Sequence, residues 1–237
     1  MPILFAVLLP LGFTASEASS PSITARIVST DPLIIHIANF ITDPEIKHLL
    51  RLGHGEFTDS MVIHENGSEL VGHERTSFTA FLPSNDSVVE RITARASEFQ
   101  GYTSMKQHES LQLTRYRAGQ QYKPHWDWFP VPEAPPSNYS NRLSTFFVIL
   151  EANCTTCGTR FPDLGVDWTK EDVRWCSIVD CEGKGVITFR PIPGNAVFWK
   201  NLRGGGEGDG RTLHAGLPPE TGVKTGWNIW TRTDSVV

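Results

Sequence analysis

The sequence contains no apolar run long enough to cross a bilayer. Its N-terminal stretch, MPILFAVLLPLGF, falls short of the roughly 20 residues that a spanning helix needs. It has no block of Lys or Arg and no excess of them: 21 basic side chains stand against 26 acidic ones in 237 residues, a net charge of −5. Nucleic acids and anionic membrane surfaces are bound through such a basic footprint, so neither is an expected partner. No internal repeat recurs, and no linker is long enough to split the chain. One domain with one full-sized hydrophobic core is expected, since 39% of the residues are apolar. Cysteine is scarce: there are four, all between positions 154 and 181.

What the N-terminus does contain reads as an export signal. The apolar stretch gives way to small and polar residues, with Ala15, Ser16, Ala18 and Ser19 around a cleavage site. Residues 1–20 are therefore expected to be a signal peptide. No Lys or Arg precedes the apolar stretch, and the competing reading is an unstructured N-terminus. Four N-x-[S/T] sequons, at Asn66, Asn85, Asn138 and Asn153, agree with a secretory route. The expected location is the endoplasmic reticulum lumen or outside the cell. The chain closes on DSVV, so retention through a KDEL-type tail is not expected. In an oxidising compartment Cys154, Cys157, Cys176 and Cys181 are expected to form two disulfides rather than a four-thiolate zinc site. Spacing does not choose among the pairings. The cysteines lie around the loop between Phe161 and Ile187, which they are expected to staple as an insertion.

Helical signals fall in the first third. LIIHIANFI (33–41) is a β-branched run and a buried-strand candidate. TDPEIKHLLRLG then offers Thr42 or Asp43 as N-cap, Pro44 in the first turn, an apolar face of Ile46, Leu49, Leu50 and Leu52, and Gly53 as a stop. SVVERITARASEF (87–99) is a second helix, with Ser87 as cap and Glu90 three residues on. From Leu111 onward the pattern alternates. RLSTFFVILEA (142–152), GVITFRP (185–191), NAVFWKNL (195–202) and TGWNIWTRT (225–233) are strand candidates. VPEAPPSNYSN (131–141) and RGGGEGDG (203–210) are loops. The class expected is α+β, with a β-sandwich or jelly roll built from short strands between Gly/Pro turns.

The first chemical signal lies in RYRAGQQYKPHWDWFP (115–130). His125 and Asp127 are two apart, so on a strand both side chains reach one ion. An imidazole and a carboxylate are two-thirds of the facial triad of non-haem Fe(II) oxygenases. The third ligand must be a distant His. His36 sits in an apolar strand, His48 and His54 on or just past the first helix, and His64, His73 and His108 in polar stretches. His214, in TLHAGLP, is the best candidate. Lys224 follows it by ten residues, across a turn built from Pro218, Pro219 and Gly222. A hairpin of that length returns the lysine beside His214, where it can hold the far carboxylate of an acidic co-substrate. Three protein ligands leave room on Fe(II) for a chelating 2-oxo acid and for O₂.

These segments, with GTRFP (158–162), PGNAVFW (193–199), DGRTLHAGLP (209–218) and the tail from Lys224 to Arg232, resemble the prolyl 4-hydroxylase family of 2-oxoglutarate/Fe(II) dioxygenases. IANFITDPEIKHLL, ERTSFTAFLPSNDSVVERITARASEF and ESLQLTRY extend the resemblance upstream, in the family's order, over residues 33–233. It implies one catalytic domain over that range, with a double-stranded β-helix (jelly roll) core and flanking N-terminal helices. By the resemblance His125, Asp127 and His214 bind Fe(II), and Lys224 binds the C5 carboxylate of 2-oxoglutarate. Tyr116 matches a tyrosine that also reaches the co-substrate, and Thr159 the threonine of the family's G-G-x-T-x-F-P turn. Tyr122 matches one on the substrate side of the iron. Two departures stand out. Thr156-Cys157-Gly158 replaces the paired glycines, and Lys224-Thr225 replaces a lysine–tryptophan pair. Trp199 and Trp230 are expected to pack the barrel. Trp126, between two ligands and facing the other way, is expected in the core.

The activity implied is hydroxylation of an unactivated C–H bond, at C4 of peptidyl proline, coupled to decarboxylation of 2-oxoglutarate to succinate. O₂ is the second co-substrate and L-ascorbate the reductant. The closest alternative is the same chemistry on a free amino acid or another small molecule. A non-catalytic secreted jelly-roll module is a further alternative, against which the intact His/Asp/His/Lys set argues.

Overall fold

Strands β1 (Thr24–Thr30) and β2 (Leu33–Ala38) precede helix α1 (Asp43–Leu52). Short strands β3 (Thr58–Asp59), β4 (Val62–Ile63), β5 (Glu69–Leu70) and β6 (Phe78–Phe81) lead to helix α2 (Ser87–Phe99). The rest is almost all strand: β7 (Gln112–Arg117), β8 (Tyr122–His125), β9 (Arg142–Ala152), β10 (Thr159–Gly165), β11 (Val186–Phe189), β12 (Ala196–Lys200), β13 (His214–Gly216) and β14 (Val223–Arg232). This computed structural model describes residues 21–63, 69–70, 73–131, 139–183 and 185–233. The expected signal peptide, Asn66 and Asn138 lie outside the described residues, as does most of the expected loop at 131–141.

The strands form a large antiparallel sheet, ordered β1-β2-β12-β9-β14-β7-β6-β3, a small one, ordered β11-β10-β13-β8, and a separate β4-β5 pair. Strand β9 shows why the sequence folds this way. Alternation sends Phe146, Val148 and Leu150 to one face, where they pack with Ile46 and Leu49 of α1 and Val89 and Ile92 of α2. Phe147 and Ile149 point to the other face and meet Phe161, Ile187 and Phe189 of the small sheet. A strand covered on both faces is apolar throughout, so FFVIL shows no alternation. Each such buried side chain contributes about 1.5–3 kcal/mol. The expected α+β jelly roll with flanking helices is what the chain forms.

Both helices are fixed at their starts. Thr42 closes a capping box with Glu45, and Gly53 follows the last turn of α1. The cap of α2 is Asp86, not Ser87: its carboxylate accepts from the Val88 and Val89 amides. An ionised carboxylate is favoured there by the helix dipole, and Asp86 also bonds the His48 ring 2.9 Å away, tying the helices together. Buried Glu45 adds a second tie, to Arg91 and Arg95 of α2.

The four cysteines form two local disulfides, Cys154–Cys157 and Cys176–Cys181. Zinc ligation by free thiolates is thereby excluded. Neither bridge staples the insertion to its frame as expected. The first closes the β9–β10 corner, and the second closes a turn within the insertion between β10 and β11. Packing of Ile178 and Val179 and hydrogen bonds from Arg190 to the Cys176 and Val179 carbonyls anchor that insertion instead.

Candidate metal centre

Strands β8 and β13 are neighbours in the small sheet, with His125 and His214 directly paired. Asp127 lies two residues past His125, so the three side chains converge, with ligand atoms all within 4.8 Å of one another. The His125 Nε2–Asp127 Oδ1 distance is 3.8 Å, and His214 Nε2–Asp127 Oδ2 is 3.7 Å. Each ring is oriented by its other nitrogen. Nδ1 of His125 donates to the Lys123 carbonyl at 2.8 Å, and Nδ1 of His214 to the Thr212 carbonyl at 3.0 Å. A carbonyl only accepts, so both Nδ1 atoms carry hydrogen and both Nε2 lone pairs point inward. Burial, with His214 alongside, pushes the His125 imidazole down to about 3, which keeps it neutral. Burial opposes ionisation of Asp127, but His214, His125, Arg142 and the Thr145 hydroxyl outweigh it and hold the carboxyl below its usual range. Two imidazoles with Nε2 facing inward and a carboxylate, brought together in a largely buried place, suit a divalent transition metal.

The large sheet supports this centre from behind. Thr145 of β9 donates to Asp127 Oδ2 at 2.7 Å and accepts from Asn201 Nδ2 at 2.9 Å. Arg142 reaches the Asp127 carbonyl and grips Glu109 through two 2.8 Å bonds. Its guanidinium lies 3.8 Å from the Trp230 ring centroid. Glu109 also receives Arg232 at 2.8 Å. Trp199 packs its ring 4.7 Å from His214, confirming both tryptophans as packing residues.

Lys224 of β14 is fully buried, and its ammonium donates to the Cys157 and Gly158 carbonyls at 2.7 and 3.3 Å. No carboxylate pairs with it among the described residues. Burial pushes its pKa down to about 7. Tyr116, paired with Lys224 across the sheet, places its ring centroid 4.7 Å from Nζ. Its hydroxyl reaches the small sheet at Gly216, where a Cβ would stand 3.2 Å away. Gly216 pairs with Tyr122, whose ring stacks on His125 with centroids 3.4 Å apart and carries Arg75 5.0 Å over it. Thr159 is buried at the start of β10, paired with Gly216 and Phe189. The expected site residues therefore gather between the two sheets.

Trp126 is not in the core. It is 46% exposed and donates to the Gly210 carbonyl. It lies just past the end of β8, the last strand in the order of the small sheet, and its ring packs beside Trp128 with centroids 5.3 Å apart. The supporting residues Thr145, Arg142, Glu109 and Asn201 escaped the sequence reading. For Arg142 and Thr145 the available signal was charge and hydroxyl groups in an otherwise apolar strand, R-L-S-T-F-F-V-I-L; Glu109 and Asn201 lie outside it.

Residues 111–232 match the model of the 2OG-Fe(II) oxygenase superfamily. Prolyl 4-hydroxylase 5 of Arabidopsis thaliana is 30% identical over 86% of this chain and 70% of its own length. The chain belongs to the prolyl 4-hydroxylase family of 2-oxoglutarate/Fe(II) dioxygenases. Within this family, prolyl 4-hydroxylase subunit alpha-2 of Gallus gallus is 31% identical over 84% of this chain, which spans only 34% of that subunit. The viral collagen prolyl hydroxylase of Paramecium Bursaria Chlorella virus-1, solved with 2OG, superposes with a TM-score of 0.60 at 25% identity, covering 84% of this chain and 96% of that one. A Pseudomonas putida prolyl-4-hydroxylase shares the fold, with a TM-score of 0.53 at 15% identity over 84% of this chain and 92% of its own. Membership of the family brings Fe(II) and 2-oxoglutarate as cofactor and co-substrate, and the His-Asp-His cluster fits the metal. No helix among the described residues is long and apolar enough to cross a membrane.

Proposed function

We propose that the protein hydroxylates C4 of proline in a peptide, consuming O₂ and 2-oxoglutarate and releasing succinate and CO₂. One observation carries this reading. A buried His-Asp-His cluster shares the space between the sheets with a buried ammonium that has no carboxylate partner among the described residues. A buried cation is costly unless an anion joins it, and a dicarboxylate that also chelates a metal supplies one. When bound, Fe(II) with 2-oxoglutarate as electron donor would activate O₂, the oxidant, for attack on an unactivated C–H bond.

The chain's own residues bind and orient. His125, Asp127 and His214 would hold the ion, with the co-substrate completing its coordination. Lys224 takes the C5 carboxylate in a charge-assisted hydrogen bond. Burial pushes the Tyr116 phenol up to about 12, so it stays neutral and donates to the same anion. Thr159 flanks the co-substrate from β10. Tyr122, held between His125 and Arg75, lines the substrate side. The Arabidopsis and Gallus relatives are prolyl 4-hydroxylases, which supports proline as the acceptor. Ascorbate is the proposed reductant. A secretory location is supported by two disulfides and by exposed sequon asparagines at Asn85 and Asn153. Succinate release with a proline-rich peptide, against free proline at equal concentration, tests the acceptor. Turnover stimulated by free proline alone would reassign the protein to small-molecule substrates.

A further inference from the structure

The β9–β10 corner, residues 153–158, meets Lys224 and the segment before it at several points. Leu217 N–H donates to the Gly158 carbonyl at 3.0 Å. Val223 N–H donates to Asn153 Oδ1 at 2.7 Å, and Asn153 N–H returns to the Val223 carbonyl at 3.2 Å. The next residue is Lys224, whose ammonium rests on the Cys157 and Gly158 carbonyls. This corner is closed by the Cys154–Cys157 disulfide. Inside the loop Thr156 holds φ at 59°, the left-handed region that a β-branched residue adopts only under constraint. At Gly158 a Cβ would lie 2.7 Å from the Phe189 carbonyl oxygen, so the backbone there is pressed against β11.

We propose that the Cys154–Cys157 disulfide is a positioning element of the 2-oxoglutarate subsite, and that its reduction by a dithiol weakens 2-oxoglutarate binding while leaving the metal ligands in place. The inference rests on Lys224 as the carboxylate-binding residue. An ammonium has three donors on a flexible stem. Two are fixed by the corner's carbonyls, which leaves one aimed at the co-substrate and stabilises the charge in a buried place. The Gly158 carbonyl is also held by Leu217, but the Cys157 carbonyl stays in position because the bridge holds Thr156 in its strained turn. Thr155 and Thr156 are exposed and Cys154 is partly exposed, so a small reductant reaches the bond. A dithiol thiolate attacks one sulfur and the S–S bond breaks. The two cysteines leave as thiols, and the dithiol is oxidised to its cyclic disulfide. The loop then relaxes at Thr156, and the Cys157 carbonyl, the nearer of the two acceptors at 2.7 Å, no longer pins the ammonium.

The test measures 2-oxoglutarate binding calorimetrically on the full chain loaded with Mn(II), comparing the wild type, C154S/C157S, C176S/C181S and Lys224→Ala. The double variant at the corner is expected to bind 2-oxoglutarate about tenfold more weakly, the scale of one charge-assisted hydrogen bond. Its affinity for Mn(II), and its kcat at saturating 2-oxoglutarate, are expected within about twofold of wild type, because only the co-substrate's remote carboxylate is affected. If C154S/C157S does not fold, C176S/C181S protein is reduced with dithiothreitol, alkylated and desalted, so that the corner bridge alone is opened, and then titrated in the same way. Unchanged affinity at the opened corner, with Lys224→Ala weakened, overturns this inference alone. Unchanged affinity in Lys224→Ala overturns the lysine's role and the inference with it.

Discussion

The Thr145 hydroxyl donates to Asp127 Oδ2 at 2.7 Å, joining the central strand of the large sheet to the metal centre at the edge of the small one. The carboxylate is thereby fixed by a partner 18 residues away rather than by its own strand. Thr145→Val keeps the volume and removes the bond. Metal affinity is expected to fall about 10–100-fold, the scale for losing a partner behind a ligand. Isothermal titration with Mn(II) reads this, and circular dichroism checks that the fold is kept.

His125→Ala, Asp127→Ala and His214→Ala each remove one of three ligands. Each is expected to abolish succinate production with the fold retained, since none of the three belongs to either apolar cluster. Retained turnover in any one of them removes that residue from the ligand set.

Lys224→Ala should raise the KM for 2-oxoglutarate, because the lysine meets a carboxylate remote from the reacting carbon. Affinity should also depend on pH. The Lys224 pKa of about 7 means that the free protein loses this charge as pH rises through that value. A bound carboxylate favours the charged form, so binding above about pH 7 takes up a proton. The Kd for 2-oxoglutarate is expected to climb by up to about tenfold per pH unit there. In Lys224→Ala this dependence should vanish. A pH-independent Kd in the wild type contradicts the assignment.

Glu109 sits between Arg142 and Arg232. Burial alone would push its carboxyl up, but the two guanidinium groups outweigh it and hold it below the usual carboxylate range. Glu109→Gln leaves both arginines without their anion and is expected to cost about 3 kcal/mol. A depressed pKa stabilises the fold fully above the unfolded value and loses that contribution as pH falls through the lower folded one. Thermal melts should therefore show the largest wild-type advantage at neutral pH, and convergence of wild type and variant in acid. Because Arg142 also bonds the Asp127 carbonyl, weaker metal binding should accompany the loss.

The centre was legible to the extent that chain-local geometry determines it. His125 and Asp127 declare themselves by a two-residue spacing on one strand, and β9 by its unbroken apolar run. His214 and Lys224 were found through the order of motifs; the hairpin expected between them does not form, since β13 and β14 lie in different sheets. The residues that brace the ligands were not legible. Glu109 and Arg142 are 33 positions apart, and no local pattern pairs them. Trp126 shows a related limit. Alternation tells which face a side chain takes, but whether that face is covered is decided by what packs on it from elsewhere in the chain. Disulfide pairing was open for the same reason, since spacing alone does not bring sulfurs together. At the start of α2, Asp86 took the cap from Ser87 because it answers both helix amides and His48.

The most direct test is mass spectrometry of a proline-rich peptide incubated with the protein, Fe(II), 2-oxoglutarate, ascorbate and O₂, with succinate measured in the same reaction. The account predicts a gain of one oxygen on proline, matched one-for-one by succinate in the wild type and absent in Asp127→Ala. Succinate without an oxidised peptide, or an oxidised peptide in Asp127→Ala, would contradict it.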